Sequence, residues 1–438
     1  MPLIFHEHAM CEEGDLRILR EFLAKNSNYH FKGQPDYVKP PVCLGIDDRC
    51  VASYYIGADW IRENELAAIV LPKIKNLDFT EMFLDALLVD SQAEAHYFSK
   101  CYGIDFDKPE IDAPKELNQL SVLLLVQYIV LLEQLVERGV RKDYVTIEEN
   151  LKSKIKGHLM LAKHLNKNMI PHREDHAYCR YQFYTEDIPV NRLLKKALLF
   201  AQQMLLSISS LASTRGRLQP RLNALLMRFN QISDDASMAE VRCLSANKLY
   251  RHYVDAVQVA KDILHRYDYS LSEVAESGRK TPPFWIDMAR LFELYTYKKL
   301  YAAYGRNIEF QVPGHEGTQA DFIHVDDRLI MDTKYKPHYE YSYKGIIDDV
   351  REISGYARDT KILHHFGTGM DKSTEELRCL IIYPVTEVEK ATLLDANSFP
   401  DNLWDSATPI DWFRNFRKIS VLLPLMPTSE QSGEDATK

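Results

Sequence analysis

Hydrophobic and polar positions alternate differently in three parts of the chain. Residues 1–115 carry short runs of β-branched and aromatic residues, such as Val51-Ala-Ser-Tyr-Tyr-Ile-Gly57, Trp60-Ile61 and Leu66-Ala-Ala-Ile-Val-Leu-Pro72. Gly57, Asn64 and Pro72 break these runs, so they read as short strands of a β-rich domain. In residues 116–275 the period changes. Leu117 to Val136 is apolar on most faces, while Asn191 to Leu211 and Asn247 to Leu264 show spacings near 3.6, and the pattern predicts a helical domain. Pro114 and Pro189 stand where two of its helices would begin.

From residue 276 to 426 helix and strand patterns take turns. Pro282-Pro283 is expected to open a helix over Phe284–Ala303, with Phe284, Met288, Leu291, Phe292 and Tyr295 as its buried stripe. Strands are expected at Asn307–Val312, Ala320–Val325, Leu329–Tyr335, Cys379–Tyr383 and Lys418–Leu423, with a helix at Lys344–Arg358 between the third and fourth. That order is one of an α/β sandwich. The polar segment 427–438 has almost nothing to bury and is expected to be disordered. The chain thus reads as α+β and multidomain, with a β-rich N-terminal domain, a helical middle and an α/β C-terminal domain.

Composition narrows the class of protein. The 438 residues are 46% hydrophobic and 27% charged, which is ordinary for a globular chain. The longest apolar run, Val122 to Leu132, is too short for a membrane span, and Met1 to Met10 lacks the basic-then-apolar order of a secretion signal. Seven cysteines without a CxxC pair fit reduced, buried thiols in a cytoplasm better than disulfides or a zinc site. The net charge of −9 is opposite to the basic surface of a stand-alone DNA-binding protein, so if DNA is a substrate a partner must supply much of the grip.

Candidate chemistry lies in Gln319-Ala-Asp-Phe-Ile-His-Val-Asp-Asp-Arg-Leu-Ile-Met-Asp-Thr-Lys-Tyr-Lys336. Asp326-Asp327 suits a tight turn between two apolar strands. A two-residue loop there pairs Val325 with Arg328, then Ile323 with Ile330 and Asp321 with Asp332. Opposed residues share a face of the sheet, and Lys334, two positions on, shares it too. Two carboxylates and one ammonium are thereby gathered on one surface. Neighbouring carboxylates raise each other's proton affinity unless a cation sits between them, and Lys334 or Mg²⁺ could fill that role. Alternating apolar residues (Ile323 and Ile330 on one face, Phe322, Leu329 and Met331 on the other) predict a covered hairpin. Charges on a covered face call for a reason.

These residues resemble a known family. Ala320-Asp321, then eleven residues to Asp332-Thr-Lys334, is similar to the PD-(D/E)xK nuclease motif with Ala in place of the usual Pro. Ile286-Asp-Met-Ala-Arg-Leu-Phe-Glu-Leu-Tyr295 resembles the helix that opens the nuclease domain of McrC proteins. Asp349-Val-Arg-Glu-Ile-Ser-Gly-Tyr-Ala357 resembles a second helix of that domain, with Glu352 where Gln is usual. Upstream, Lys156-Gly157 to Lys163-His164, Tyr178-Cys-Arg-Tyr181 and Asp187-Ile-Pro-Val-Asn-Arg-Leu-Leu194 are similar to further stretches of the same family. So are Tyr55-Ile-Gly57, Trp60 and Pro72-Lys-Ile74. The McrC family supplies the nuclease subunit of McrBC-type, modification-dependent restriction systems.

The resemblance implies a restriction-endonuclease-like core with Asp321, Asp332 and Lys334 as catalytic residues. It also implies Glu293 as the supporting helix carboxylate, and Mg²⁺ held around Asp321, Asp332 and Thr333. It further implies that the N-terminal part binds and stimulates a McrB-like hexameric AAA+ GTPase, that double-stranded, modified DNA is cut only in that assembly, and that no membrane is involved. Lys336, Arg351 and Tyr356 are weaker candidates for contacts near the site. Gly367-Thr-Gly-Met-Asp-Lys-Ser-Thr374 has the flavour of a phosphate-binding loop, but Asp371 stands where a P-loop has Gly before its Lys, so no nucleotide hydrolysis is expected from the chain itself. Two other readings remain: a non-catalytic activator of an AAA+ motor, and a self-sufficient repair or junction nuclease.

Overall fold

The computed structural model describes residues 2–26, 42–86, 97, 100–105, 108–112, 120–207, 212–236, 251–268, 280–336, 339, 343–367, 377–393, 399–400 and 402–426. The chain is α+β, with four separate sheets among the described residues, in two compact units: residues 1–119 with 278–438, and residues 120–277. The regions 1–115 and 276–426, which the hydrophobic pattern separates, therefore share one unit. The expected disordered tail, Asn247 to Tyr250 at the start of the third expected helix, and most of the Gly367–Thr374 loop lie outside the described residues.

One short strand helps join the two regions. In the first sheet β1 (Leu3–His6) pairs in parallel with β3 (Leu66–Leu71), and β3 is antiparallel to β2 (Tyr55–Arg62). Residues Phe284–Asp287, expected to be helix, form strand β5 between β2 and β4 (Tyr102–Ile104). Phe284 and Met288 sit four apart, so helical spacing and a strand followed by a helix look alike in sequence. The sheet decides the matter, because Trp285 is opposed by Gly57 on one side and Gly103 on the other. A Cβ on Gly57, whose φ is +138°, would lie 2.1 Å from the carbonyl oxygen of Phe284, so only glycine lets the strand in. Helix α1 (Glu13–Lys25) covers this sheet through Leu19, packed with Leu3, Phe5, Leu44, Tyr55 and Val70.

Strand β5 runs directly into the helix Met288–Tyr304, here α3 after α2 (Phe79–Ala86). Asp287 is its N-cap and accepts a hydrogen bond from the amide of Arg290 at 3.0 Å. Helix α3 lies against the second sheet, which is ordered β6-β7-β8-β9-β11-β10. Its strands are β6 (Ile308–Pro313), β7 (Gln319–His324), β8 (Leu329–Thr333), β9 (Arg378–Val385), β10 (Thr408–Pro409) and β11 (Phe416–Leu422). The first three form an antiparallel meander, and β8, β9 and β11 continue in parallel. Phe322 stacks toward Tyr297 of α3, whereas Ile323 and Ile330 pack with Ile353 of α4 (Tyr343–Tyr356) and Ile362 of α5 (Thr360–His365). The sheet therefore has helices on both faces, as alternation of side chains along β7 and β8 requires.

The second unit is built from helices Leu120–Arg138, Pro189–Ser207, Ala212–Arg228 and Arg251–Asp268. It is not wholly helical: Asp143–Lys152 pairs with His176–Thr185 over ten residues, and His158–Leu159 adds a third strand. Its strands alternate at Val145, Ile147 and Leu151 and at Ala177, Cys179 and Tyr181, and of these Leu151, Ala177 and Cys179 are buried in a small cluster. Pro189 begins its helix, where a missing N–H costs nothing. Among the described residues no helix is long and apolar enough to cross a membrane. Each described cysteine is buried and free of disulfides.

Candidate functional site

The register of β7 against β8 is Phe322↔Met331, Ile323↔Ile330 and His324↔Leu329, which sets Asp321 opposite Asp332 as the alternation demands. The connection is tight: the amide of Arg328 donates to Val325 O at 3.3 Å, with Arg328 itself in the left-handed region (φ +51°). Asp321, Asp332 and Lys334 thus share the sheet face that α4 covers.

Asp332 is 2% exposed. Burial, reinforced by the charge of Asp321, holds its carboxyl well above the usual carboxylate range, against the pull of Lys334. Asp321 is likewise pushed up by burial, opposed by Thr333, whose backbone amide and hydroxyl both donate to its Oδ2 at 2.7 and 2.6 Å, and by Lys334. Lys334 Nζ lies 2.7 Å from Asp332 Oδ2 and 2.8 Å from Glu352 Oε2. Burial alone would lower the lysine; the two carboxylates reverse this and keep it charged. The contact to Asp332 Oδ2 is a close charge pair inside a buried setting. Glu352 is held by Lys334 to an ionised form below its ordinary range despite partial burial, and Tyr356 donates to its other oxygen at 3.0 Å.

Glu293, on α3, is 8% exposed and raised well above the carboxylate range by burial and then by the charge of Asp321. Tyr97 donates to its Oε2 and Gln311 to its Oε1. Neither donor is marked by the sequence: Tyr97 lies 196 positions away, and Gln311 differs from its strand neighbours only in a φ of +53°. Of the weaker candidates, Lys336 is bound by both oxygens of Asp349 at 2.8 Å, and the exposed Arg351 pairs with Asp348 at 3.1 Å. Thr333, expected among the metal-holding residues, turns its amide and hydroxyl to Asp321 and so orients that carboxylate.

A family model described as "McrBC 5-methylcytosine restriction system component" matches residues 52–349, more than half of the chain. The chain belongs to this McrBC family. Two solved structures are similar to this McrBC component, both from Thermococcus gammatolerans. One is a half-complex from a tetradecameric assembly of McrB AAA+ hexamers with bound McrC, at 14% identity, covering 96% of this chain and 94% of that one, with a TM-score of 0.37. The other is a cryo-EM structure of the McrBC complex, at 15% identity, covering 70% and 88%, with a TM-score of 0.30. No curated protein matches the chain.

The stretch of the McrBC component that matches the family contains Glu293, Asp321, Asp332 and Lys334 and ends three positions before Glu352. Among the described residues no set of three or more His, Cys, Asp or Glu side chains is arranged to enclose a metal ion. The donor set still fits Mg²⁺, which is typically held by one or two carboxylates and completed by water and phosphate oxygens. Asp321 and Asp332 stand beside one lysine, and burial raises the proton affinity of both, so added positive charge at this face would be favourable.

Proposed function

We propose that this chain is the DNA-cleaving subunit of a McrBC-type restriction complex, with phosphodiester hydrolysis at Asp321, Asp332 and Lys334 in a PD-(D/E)xK-type core. The observation that carries the reading is the excess of acid on one covered face of the β7–β8 hairpin, where two opposed aspartates, Asp332 buried and Asp321 half-buried, stand beside a lysine. A structural ion pair needs only one carboxylate per lysine, and an excess of buried acid is destabilising unless a ligand neutralises it.

Asp321 and Asp332 would hold the Mg²⁺, which supplies charge neutralisation at the phosphodiester and a more acidic bound water. Thr333 orients Asp321 by two hydrogen bonds, which favour its ionised form against burial. Lys334 brings a permanent positive charge to the same face, where it orients the attacking water or meets developing negative charge. Glu352 and Tyr356 form a short chain of contacts that steadies the lysine from α4.

Membership of the McrBC family supports a McrB-like hexameric AAA+ GTPase as the partner, modified double-stranded DNA as the substrate, and the cytoplasm as the setting. A net charge of −9 supports the same division of labour, since a partner must then hold most of the DNA. The surface best suited to that partner is the end of the hairpin in residues 120–277. There Ile155, Leu161 and Ile170 are about two-thirds or more exposed within a segment that also carries Lys154, Lys156, Lys163 and Lys167. In residues 1–115, by contrast, the exposed large apolar side chains among the described residues are Met10 and Ile18. Nicking or cutting of 5-methylcytosine-containing DNA by the full chain with its AAA+ partner, GTP and Mg²⁺ tests the proposal. Asp321→Asn should abolish cleavage, and equal cleavage by the variant would sink it.

A further inference from the structure

Lys73, two residues past β3, turns its side chain inward, leaving it 15% exposed. Three contacts hold its ammonium. It donates to the carbonyl oxygen of Tyr335 at 2.6 Å, lies 3.9 Å from the centre of the Tyr335 ring, and stands 4.0 Å from Glu7 Oε1. Glu7 is fixed in turn: its Oε2 accepts from the Lys73 amide at 3.0 Å, and its own amide donates to Leu71 O at 3.0 Å. At the far end of the contact, Tyr335 directly follows Lys334, where β8 leaves the sheet. The Lys334 amide still donates to Ile382 O of β9 at 2.8 Å, but the Lys336 amide turns back to Lys334 O at 2.7 Å. The Tyr335 carbonyl lies just past the end of the ladder, and Lys73 supplies its donor. Burying an ammonium is costly unless it is paired and hydrogen-bonded, and here the pairing is spent on one backbone oxygen beside the candidate site.

We propose that Lys73 is a positioning residue for the cleavage reaction: through the Tyr335 carbonyl it fixes the end of β8, and with it the direction in which Lys334 presents its ammonium beside Asp332. The inference rests on the nuclease reading of the site. A strand inside its ladder is held by the sheet, but β8 loses that support one residue after Lys334. The next contact along the chain, Lys336 Nζ with Asp349 of α4, is made by a flexible side chain and leaves the backbone free to shift. A displacement of about 1 Å at a reacting group can cost on the order of a hundredfold in rate. A charged donor holds a carbonyl more firmly than a neutral one, which suits a lysine to this place. Its ammonium faces Tyr335 and Glu7, so it acts through the strand and not on DNA. The contact spans 262 positions of sequence, and it makes the setting of Lys334 a joint product of residues 1–115 and the second sheet.

The test joins two readouts on the full chain: hydrogen–deuterium exchange resolved to single amides, and steady-state cleavage of 5-methylcytosine-containing DNA with the AAA+ partner, GTP and Mg²⁺. Lys73→Met keeps the stem and removes the donor, and Lys73→Arg keeps a charged donor. The double variant Glu7→Gln/Lys73→Met leaves no buried acid without its cation, and stands in for the single one should an unpaired Glu7 unfold the chain. Loss of a charged donor should speed exchange at the Lys334 and Lys336 amides by about tenfold or more. The amides of β11 should keep their wild-type rates, which separates local release from general destabilisation. Turnover at saturating DNA should fall by about tenfold with the half-saturating DNA concentration unchanged, and Lys73→Arg should recover most of both losses. Folded Lys73→Met or double-variant protein with wild-type exchange at Lys334 and Lys336 would overturn the proposal. So would a rise in the half-saturating DNA concentration at unchanged turnover, which would make Lys73 a DNA contact. If even the wild type cuts no DNA while Lys73→Met selectively releases these two amides, the nuclease reading fails and the anchoring of β8 by Lys73 stands.

Discussion

Thr333 donates to a single oxygen of Asp321 twice, from its backbone amide at 2.7 Å and its hydroxyl at 2.6 Å. One donor comes with the strand and survives any substitution; the other depends on the side chain. Thr333→Val preserves shape and removes only the hydroxyl, leaving a carboxylate that burial already pushes up. The variant should lose about 1–2 kcal/mol of stability at neutral pH, measured by denaturant unfolding. Its cleavage rate should fall more at pH 6 than at pH 8, because Asp321 is then easier to protonate. A pH-independent effect on cleavage would show that the hydroxyl only packs.

Asp332→Asn should separate stability from activity. The folded state raises the proton affinity of Asp332, so it binds a proton more tightly than the unfolded chain. Its contribution to stability is then full below the ordinary carboxylate range and lost as pH rises through the elevated folded value. Asparagine removes the charge that burial penalises. In metal-free buffer the variant should melt above the wild type at pH 8, and the gap should close toward pH 4. Mg²⁺ should raise the melting temperature of the wild type more than that of the variant.

Glu7 offers an independent test of the same linkage away from the site. Its carboxyl is 3% exposed, with Oε1 lacking a donor, and burial pushes it up to about 7 against the pull of Lys73. The stability it contributes is therefore present below its ordinary value and disappears as pH rises toward and through about 7. Glu7→Gln keeps an acceptor for the amide of Lys73, now made to Oε2 at 3.0 Å. The variant should be more stable than the wild type at pH 8.5 and no more stable at pH 5; the reverse order in thermal melts would contradict the assignment.

What the sequence makes legible is local. The β7–β8 hairpin follows from strict alternation and the Asp326-Asp327 turn, and that alone brings Asp321, Asp332 and Lys334 onto one face. Glu293 is visible through the helix motif around it. Tyr97 is not, because no spacing rule links positions 196 apart, and the left-handed turn at Gln311 leaves no trace in residue type. Phe284–Asp287 misleads for the opposite reason: its apolar spacing continues into a true helix, and only the two glycines opposite Trp285 reveal a strand. The long hairpin of residues 143–185 is marked by alternation at Val145, Ile147 and Leu151 and at Ala177, Cys179 and Tyr181, a short and weakly buried signal beside the long helical periods that flank it.

That hairpin also carries the partner surface proposed above. Ile155→Asp together with Ile170→Asp changes two side chains about 70% exposed, so the fold should be unaffected, with stability within about 0.5 kcal/mol of the wild type. Stimulation of the partner's nucleotide hydrolysis should drop by about tenfold, and cleavage with it, since apolar contacts at an interface core carry much of its energy. Full stimulation by the double variant would move the interface elsewhere.

The most direct test of the central claim compares the wild type with Asp332→Ala in a complex with the AAA+ partner, measuring DNA cleavage and nucleotide hydrolysis in the same reaction with Mg²⁺. The account predicts that both proteins stimulate hydrolysis equally and that only the wild type cuts. Cleavage by Asp332→Ala at the wild-type rate would contradict the assignment of the site. Undiminished hydrolysis with no cleavage by either protein, on modified or unmodified DNA, would contradict the assignment of nuclease activity to this chain.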